Sequence, residues 1–211
     1  MRAGRDVPPG RVPPGQRLAK GWPVLHYGPV PTFDPAAWDF RVFGAVARPV
    51  TLTYDELKAL GPVHERRDFH CVTKFSVLDV EWEGVAVARV AALAEPLATA
   101  AFVMAHGEYG YETNMPADVA VGEGLLAWGA GGEPLTPEHG FPLRLVVPRL
   151  YAWKSAKWIR ALEFLEADRR GFWEERGYHN DADPWQEQRY SYQEKAERTR
   201  TLLRRFRSPT R

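Results

Sequence analysis

The sequence predicts an α+β fold, with mixed β-sheets and a few short helices. Apolar residues recur mostly in short runs with period two, each closed by glycine or proline. Helical spacing is confined to segments 53–60 and 85–97 and a marginal stretch at 186–207. Strands do not alternate with long helices, so the rhythm of a doubly wound sheet is missing. No Gly-x-Gly-x-x-Gly or phosphate-loop pattern follows a strand, which leaves a nicotinamide or ATP site without support.

In chain order, residues 1–21 read as an extended segment. Pro8, Pro9, Pro13 and Pro14 supply no backbone donors and resist helix. Segment 38–46 alternates apolar residues and ends in a turn at Gly44. At 53–60 Thr53 and Glu56 have capping-box spacing, and Gly61-Pro62 stops the helix. A short strand or loop at 69–75 carries Cys71. Alanine-rich 85–97 reads as helix, 101–105 as a buried strand and 107–115 as an aromatic turn region. Segment 125–128 is a short strand closed by Gly129, Gly131 and Gly132. Segment 143–147, β-branched between Pro142 and Pro148, is a strand. Alternation of Trp158, Arg160, Leu162 and Phe164 favours strand over helix for 157–165.

The chain has 211 residues, 45% of them hydrophobic, enough for one domain with a substantial core. We expect that domain at 22–185, between the proline-rich 1–21 and a basic, helical C-terminal tail at 186–211. With 28 basic and 27 acidic residues the net charge is +1, so no global field points to nucleic acid or an anionic membrane. No apolar run is long enough to span a bilayer, and no secretion signal is visible at the start, which gives a cytoplasmic expectation. A single cysteine fits a reducing compartment.

Three constellations carry possible chemistry. In His70-Cys71-Val72-Thr73-Lys74-Phe75-Ser76 the cysteine is either a soft metal ligand or a small buried residue. In segment 139–158 Arg144 sits inside an apolar strand, a costly place unless it meets an anion. Lys154, Ser155 and Lys157 follow, either cradling a phosphate or lying solvated on an edge strand. In Leu25-His26-Tyr27-Gly28-Pro29, His26 and Tyr27 present ring donors from a rigid loop, to a ligand or to the loop itself. No histidine pair has zinc-hydrolase spacing, and no Gly-x-Ser-x-Gly elbow is present. The basic run from Lys195 to Arg211 is a solvated tail or a docking segment.

Taken in order, these segments resemble the sulfite oxidase family of molybdopterin oxidoreductases. Cys71-Val-Thr-Lys-Phe-Ser is similar to that family's Cys-Val-x-x-Trp-Ser metal-ligand segment, with Phe75 in place of tryptophan. Segment 132–148 followed by Lys154-Ser-Ala-Lys-Trp158 resembles its pterin-phosphate segment. Segments 40–53, 82–85 and 171–185 match in sequence order, the last looking like the small bacterial branch with a cofactor domain alone. That branch is related to the periplasmic molybdenum-dependent methionine sulfoxide reductase.

The resemblance implies one molybdenum on one pyranopterin, with Cys71 as the protein's ligand to the metal. It implies that Arg144, Ser155, Lys157 and the backbone of Ala156 hold the pterin and its phosphate. His26, Tyr27, His139 and His106 match positions that contact the cofactor. The implied reaction is oxygen-atom transfer on a small S- or N-oxide or a sulfite-like substrate, served by an unidentified external electron carrier. The alternative is a molybdopterin-binding or carrier protein without turnover. Two departures bear on substrate: Leu25 stands where the family places a sulfite-binding arginine, and Trp128 where it places an active-site tyrosine. The family's immunoglobulin-like and haem domains are not expected here.

Overall fold

A computed structural model describes residues 10–194, and its strands form two sheets. Residues 10–21 lie against the body, with β1 (Arg17–Leu18) running parallel to a later strand and Arg11 bonded to Asp68 and Asp79. The chain then enters β2 (Phe40–Gly44) and β3 (Val50–Leu52), an antiparallel pair. Helix α1 (Tyr54–Ala59) follows with the full capping box: Glu56 N donates to Thr53 Oγ1, and Thr53 N donates back to Glu56 Oε2 at 2.8 Å.

A long hairpin is next, β4 (Val63–Cys71) and β5 (Phe75–Ala86). Its twelve-residue second strand was not legible, because Asp79, Glu81 and Glu83 interrupt the apolar pattern on the side that faces water. Helix α2 (Val87–Ala94), β6 (Phe102–Gly107), β7 (Glu112–Pro116) and α3 (Ala117–Glu123) lead to β8 (Leu125–Ala130) and β9 (Glu133–Pro134). Strands β10 (Arg144–Val146) and β11 (Ile159–Leu165) and helix α4 (Phe172–Glu175) close the order. The first sheet runs β1-β5-β8-β10, with β4 on β5 and β9 on β8; the second runs β3-β2-β11-β6-β7.

The two sheets share a central core to which Phe40, Val42, Leu162 and Phe164 contribute from one side and Val85, Leu126 and Leu145 from the other. The opposite face of the first sheet is apolar too, with Phe69, Trp82, Leu125, Ala127 and Val146. Strand β8 is therefore buried on both faces: Leu126 and Trp128 point to the central core, Leu125 and Ala127 away from it. The expected turn region at 107–115 contains β7 instead. Its Thr113 and Asn114 are buried polar residues satisfied by side chains from later in the chain, which hydropathy cannot anticipate. The tail expected at 186–211 lies partly outside the described residues. Among the described residues no helix is long and apolar enough to cross a membrane.

Candidate cofactor site

Period two decides which side chains reach the site. In β4, Phe69 and Cys71 share one face while His70 takes the other, where its ring meets Trp185 and its Nδ1 lies 2.9 Å from Ser76 Oγ. In the 143–147 stretch, Leu143, Leu145 and Val147 enter the central core, so Arg144 projects to the opposite side. There it meets the faces of Phe69, Trp82 and Trp22 at 5.0, 5.4 and 5.6 Å.

Cys71 ends β4 at a three-residue hairpin loop. Lys74, at φ 70°, occupies the left-handed position that such a loop requires, and its N–H closes on the Cys71 carbonyl at 3.0 Å. Thr73 Oγ1 donates to Cys71 Sγ at 3.2 Å.

Sulfur and guanidinium line one cavity of about 300 Å³, at the lower end of the ~300–1,000 Å³ usual for small-molecule sites. Its walls come from five places far apart in sequence: 22–27, 69–75, Tyr111, 144–158 and 173–178. His26, Tyr27, Cys71, Arg144, Ser155, Ala156 and Lys157 all line it. None of the twenty described residues lining it is acidic.

Arg144 is 1% exposed, and its partners are two carbonyls, His139 O at 2.9 Å and Ser155 O at 3.3 Å. Its buried Nε has no hydrogen-bond partner, and burial pulls its pKa down to about 9. Lys157 lies beside it across an antiparallel bridge and donates to the Glu138 carbonyl at 2.6 Å. Burial first, then the Arg144 charge, lowers the Lys157 pKa to about 7. Gly140 lets the preceding turn close over this pair. It has φ +113°, and a Cβ there would stand 3.0 Å from Arg144 Cβ and 3.3 Å from Lys157 Cβ. Ser155 Oγ accepts from Val147 N at 3.0 Å, which leaves its hydroxyl hydrogen to donate.

Other expected residues are placed elsewhere. His139 stands behind the cavity, stacked on Trp22 at 4.2 Å with Nε2 near the Trp22 carbonyl at 3.3 Å. Burial lowers its pKa; the Trp22 carbonyl can only accept, which puts the hydrogen on Nε2 and leaves Nδ1 to accept from the Thr136 hydroxyl. His106 is placed away from the cavity. It lies on β6 in the second sheet, stacked on Phe43 and held between Glu112 and Glu163 at 2.9 and 3.0 Å, and it does not line the cavity. Trp128 is also placed away from it: its ring packs in the central core and its Nε1 donates to Glu83 Oε1 at 2.9 Å. Lys154 leaves the cradle as well, forming a fully buried 2.6 Å ion pair with Glu174.

Of the aromatic wall, Trp22, Tyr111 and Trp153 were not anticipated, while Trp173 and Tyr178 belong to an aromatic segment that was open to three readings, cofactor cover, core packing or partner contact. Trp22, Tyr111, Trp153, Trp173 and Tyr178 line the cavity from segments whose convergence is tertiary. The one available signal was the density of aromatics in 171–178. Tyr111 is half-buried with its hydroxyl on the Trp153 carbonyl, and desolvation holds its pKa well above the usual phenol value.

A thiol, two desolvated cations, an orphaned guanidinium N–H and aromatic walls without a carboxylate define a site for an anionic, largely planar cofactor. The comparisons specify the class. A model of the family described as "Oxidoreductase molybdopterin binding domain" matches residues 27–173. The uncharacterized oxidoreductase YuiH of Bacillus subtilis (strain 168) is 46% identical over 185 residues, which is 87% of this chain and 93% of that protein. Among solved structures, the sulfane dehydrogenase SoxCD of Paracoccus pantotrophus superposes with a TM-score of 0.62 at 21% identity. That match covers 67% of this chain and 41% of the other, so the chain spans less than half of its length; the likeness is one of fold. The chain belongs to the family of oxidoreductases with a molybdopterin-binding domain.

Proposed function

We propose that this chain binds one molybdenum as a single-pyranopterin complex, with Cys71 Sγ as the protein ligand, and works as an oxygen-atom-transfer oxidoreductase. The observation that carries the reading is Arg144. A buried guanidinium with no anionic partner and an orphaned Nε shares its cavity with the chain's one thiol. Such a cation is costly to keep unless an anion completes it.

Arg144 and Lys157, with the Ser155 hydroxyl and the Ala156 backbone, hold the pterin phosphate. Phosphate charge restores the protonated state of Lys157, which burial beside Arg144 disfavours. Trp22, Trp153 and Trp158 enclose the pterin and exclude water, and His139 keeps Trp22 in place. Loaded, the metal would supply a two-electron couple for exchanging an oxygen atom with a small S- or N-oxide or a sulfite-like substrate. Leu25 and Tyr27, both exposed, line the cavity. Leu25 offers no charge where the family's arginine binds sulfite, which favours an uncharged S- or N-oxide. Electrons come singly from an external carrier.

The test is metal analysis of protein purified from cells that make molybdopterin, beside Cys71→Ser, with viologen-coupled assays on S-oxides and N-oxides. We expect one molybdenum per chain, its loss or a changed paramagnetic resonance signal in C71S, and turnover. No molybdenum in the wild type, or an unaltered metal signal in C71S, sinks the reading. Bound metal without turnover on any substrate leaves the carrier function instead.

A further inference from the structure

The loop that carries Cys71 is gripped from both ends of the described chain. Gln16 Nε2 donates to the Cys71 carbonyl at 3.0 Å, and Arg189 Nη1 donates to the Val72 carbonyl at 2.5 Å. Both residues lie outside the segment 27–173 that the family model matches. Neither lines the cavity, so neither belongs to the cradle described above.

Arg189 is an expensive residue in its place. It is 5% exposed, and its buried Nε and Nη2 have no hydrogen-bond partner. Its contact with Glu187 is 3.8 Å long, to a half-exposed carboxylate. The guanidinium lies over the Tyr151 ring at 4.8 Å. A methionine would fill that space without desolvating a charge, so packing does not account for an arginine. Its one short bond reaches the residue next to the proposed metal ligand. There a fixed positive charge faces the loop that carries Cys71.

We infer that Arg189, with Gln16, is a positioning clamp: it fixes the orientation of Cys71 and holds a buried positive charge that raises the metal's reduction potential. The inference rests on Cys71 being the ligand. Two effects separate cleanly. The hydrogen bonds to the carbonyls of residues 71 and 72 set the loop, and so the direction of Sγ. The charge favours the more reduced, more negative state of the centre. The Thr73 hydroxyl acts in the same sense through its bond to sulfur, because donors to a ligating sulfur tune a metal's potential.

The experiment compares molybdenum-loaded wild type, Arg189→Met, Arg189→Lys and Gln16→Leu. Redox titrations are followed by the paramagnetic resonance of the one-electron-reduced metal, and amide hydrogen exchange is measured at residues 71–74 of the metal-free proteins. In R189M we expect at least a tenfold shift of the metal's equilibrium toward the oxidised state at fixed potential, about 59 mV for one electron. R189K, which keeps the charge, should restore most of that shift. Gln16→Leu should leave the potential within a fewfold of wild type, yet change the resonance g-values and speed exchange at 71–74. A loaded R189M with wild-type potential and g-values overturns the inference. If R189M does not fold, Q16L decides, and unchanged g-values and exchange in it overturn the clamp. Failure of the underlying reading shows separately, as a wild type without molybdenum or a C71S variant with an unaltered metal signal.

Discussion

Arg144 and Lys154 stand ten residues apart, and both are sealed from solvent, yet they serve opposite ends. Lys154 is saturated: Glu174 at 2.6 Å, the Asn114 carbonyl at 2.7 Å and the Asn114 side-chain oxygen at 2.9 Å take its three hydrogens. Arg144 meets carbonyls and ring faces and no carboxylate. Burial of a cation therefore does not by itself mark a site. What marks one is burial without a counter-ion, beside a cavity whose lining holds no acid.

The sharpest way to break this contrast is to remove one partner from each cation. Glu174→Ala leaves Lys154 buried without its counter-ion and strips Trp153 Nε1 of its acceptor. It should lower the unfolding free energy by about 3–5 kcal/mol in urea titration. Arg144→Met should leave the metal-free protein as stable as wild type or more so, by up to about 4 kcal/mol. The same change should weaken cofactor binding by about 2–5 kcal/mol, read as pterin and molybdenum content after dialysis. Equal destabilisation by E174A and R144M would erase the distinction between a structural and a ligand-binding cation.

pH sharpens the same point. Lys157 has a folded pKa of about 7 against an ordinary value of 10.5. Between those values the unfolded chain binds more protons, so stability of the metal-free protein should climb as pH rises from 7 toward 10. The penalty for a buried charge is fully present below pH 7. Anion binding, which needs the protonated lysine, should run the other way and weaken above pH 7. Phosphate titrations by calorimetry at pH 6, 7 and 8.5 would show it, and a flat profile would remove Lys157 from the cradle. The smallest effect is a control far from the cavity: Thr53→Ala, at the cap of α1, should cost about 1 kcal/mol and leave cofactor content alone.

The fold was legible where sequence and burial share a period. The capping box at Thr53 and Glu56, the strand at 143–147 and the strand at 159–165 follow from local chemistry and alternation. Strands β5 and β7 were not, because their polar residues either face water or are satisfied inside by distant side chains. In the candidate site, the residues brought together are those carried by motifs on the 25–28 loop, β4, β10 and the turn after it. His106 and Trp128 were placed by order alone, and order does not say which face of a strand a side chain takes. Each lies on the face turned from the cavity.

The cavity is completed by the end of the domain. Its last wall is Trp173 and Tyr178, contributed by a segment that follows every sheet strand. A chain still short of those residues can already pair its strands, but it presents an open trough in place of a closed chamber. If the proposed pterin binds here, that open trough is the form that would admit it with least obstruction. Once seated, the ligand ties the last part of the domain to the first, so escape of the cofactor and loosening of residues 173–178 become a single event.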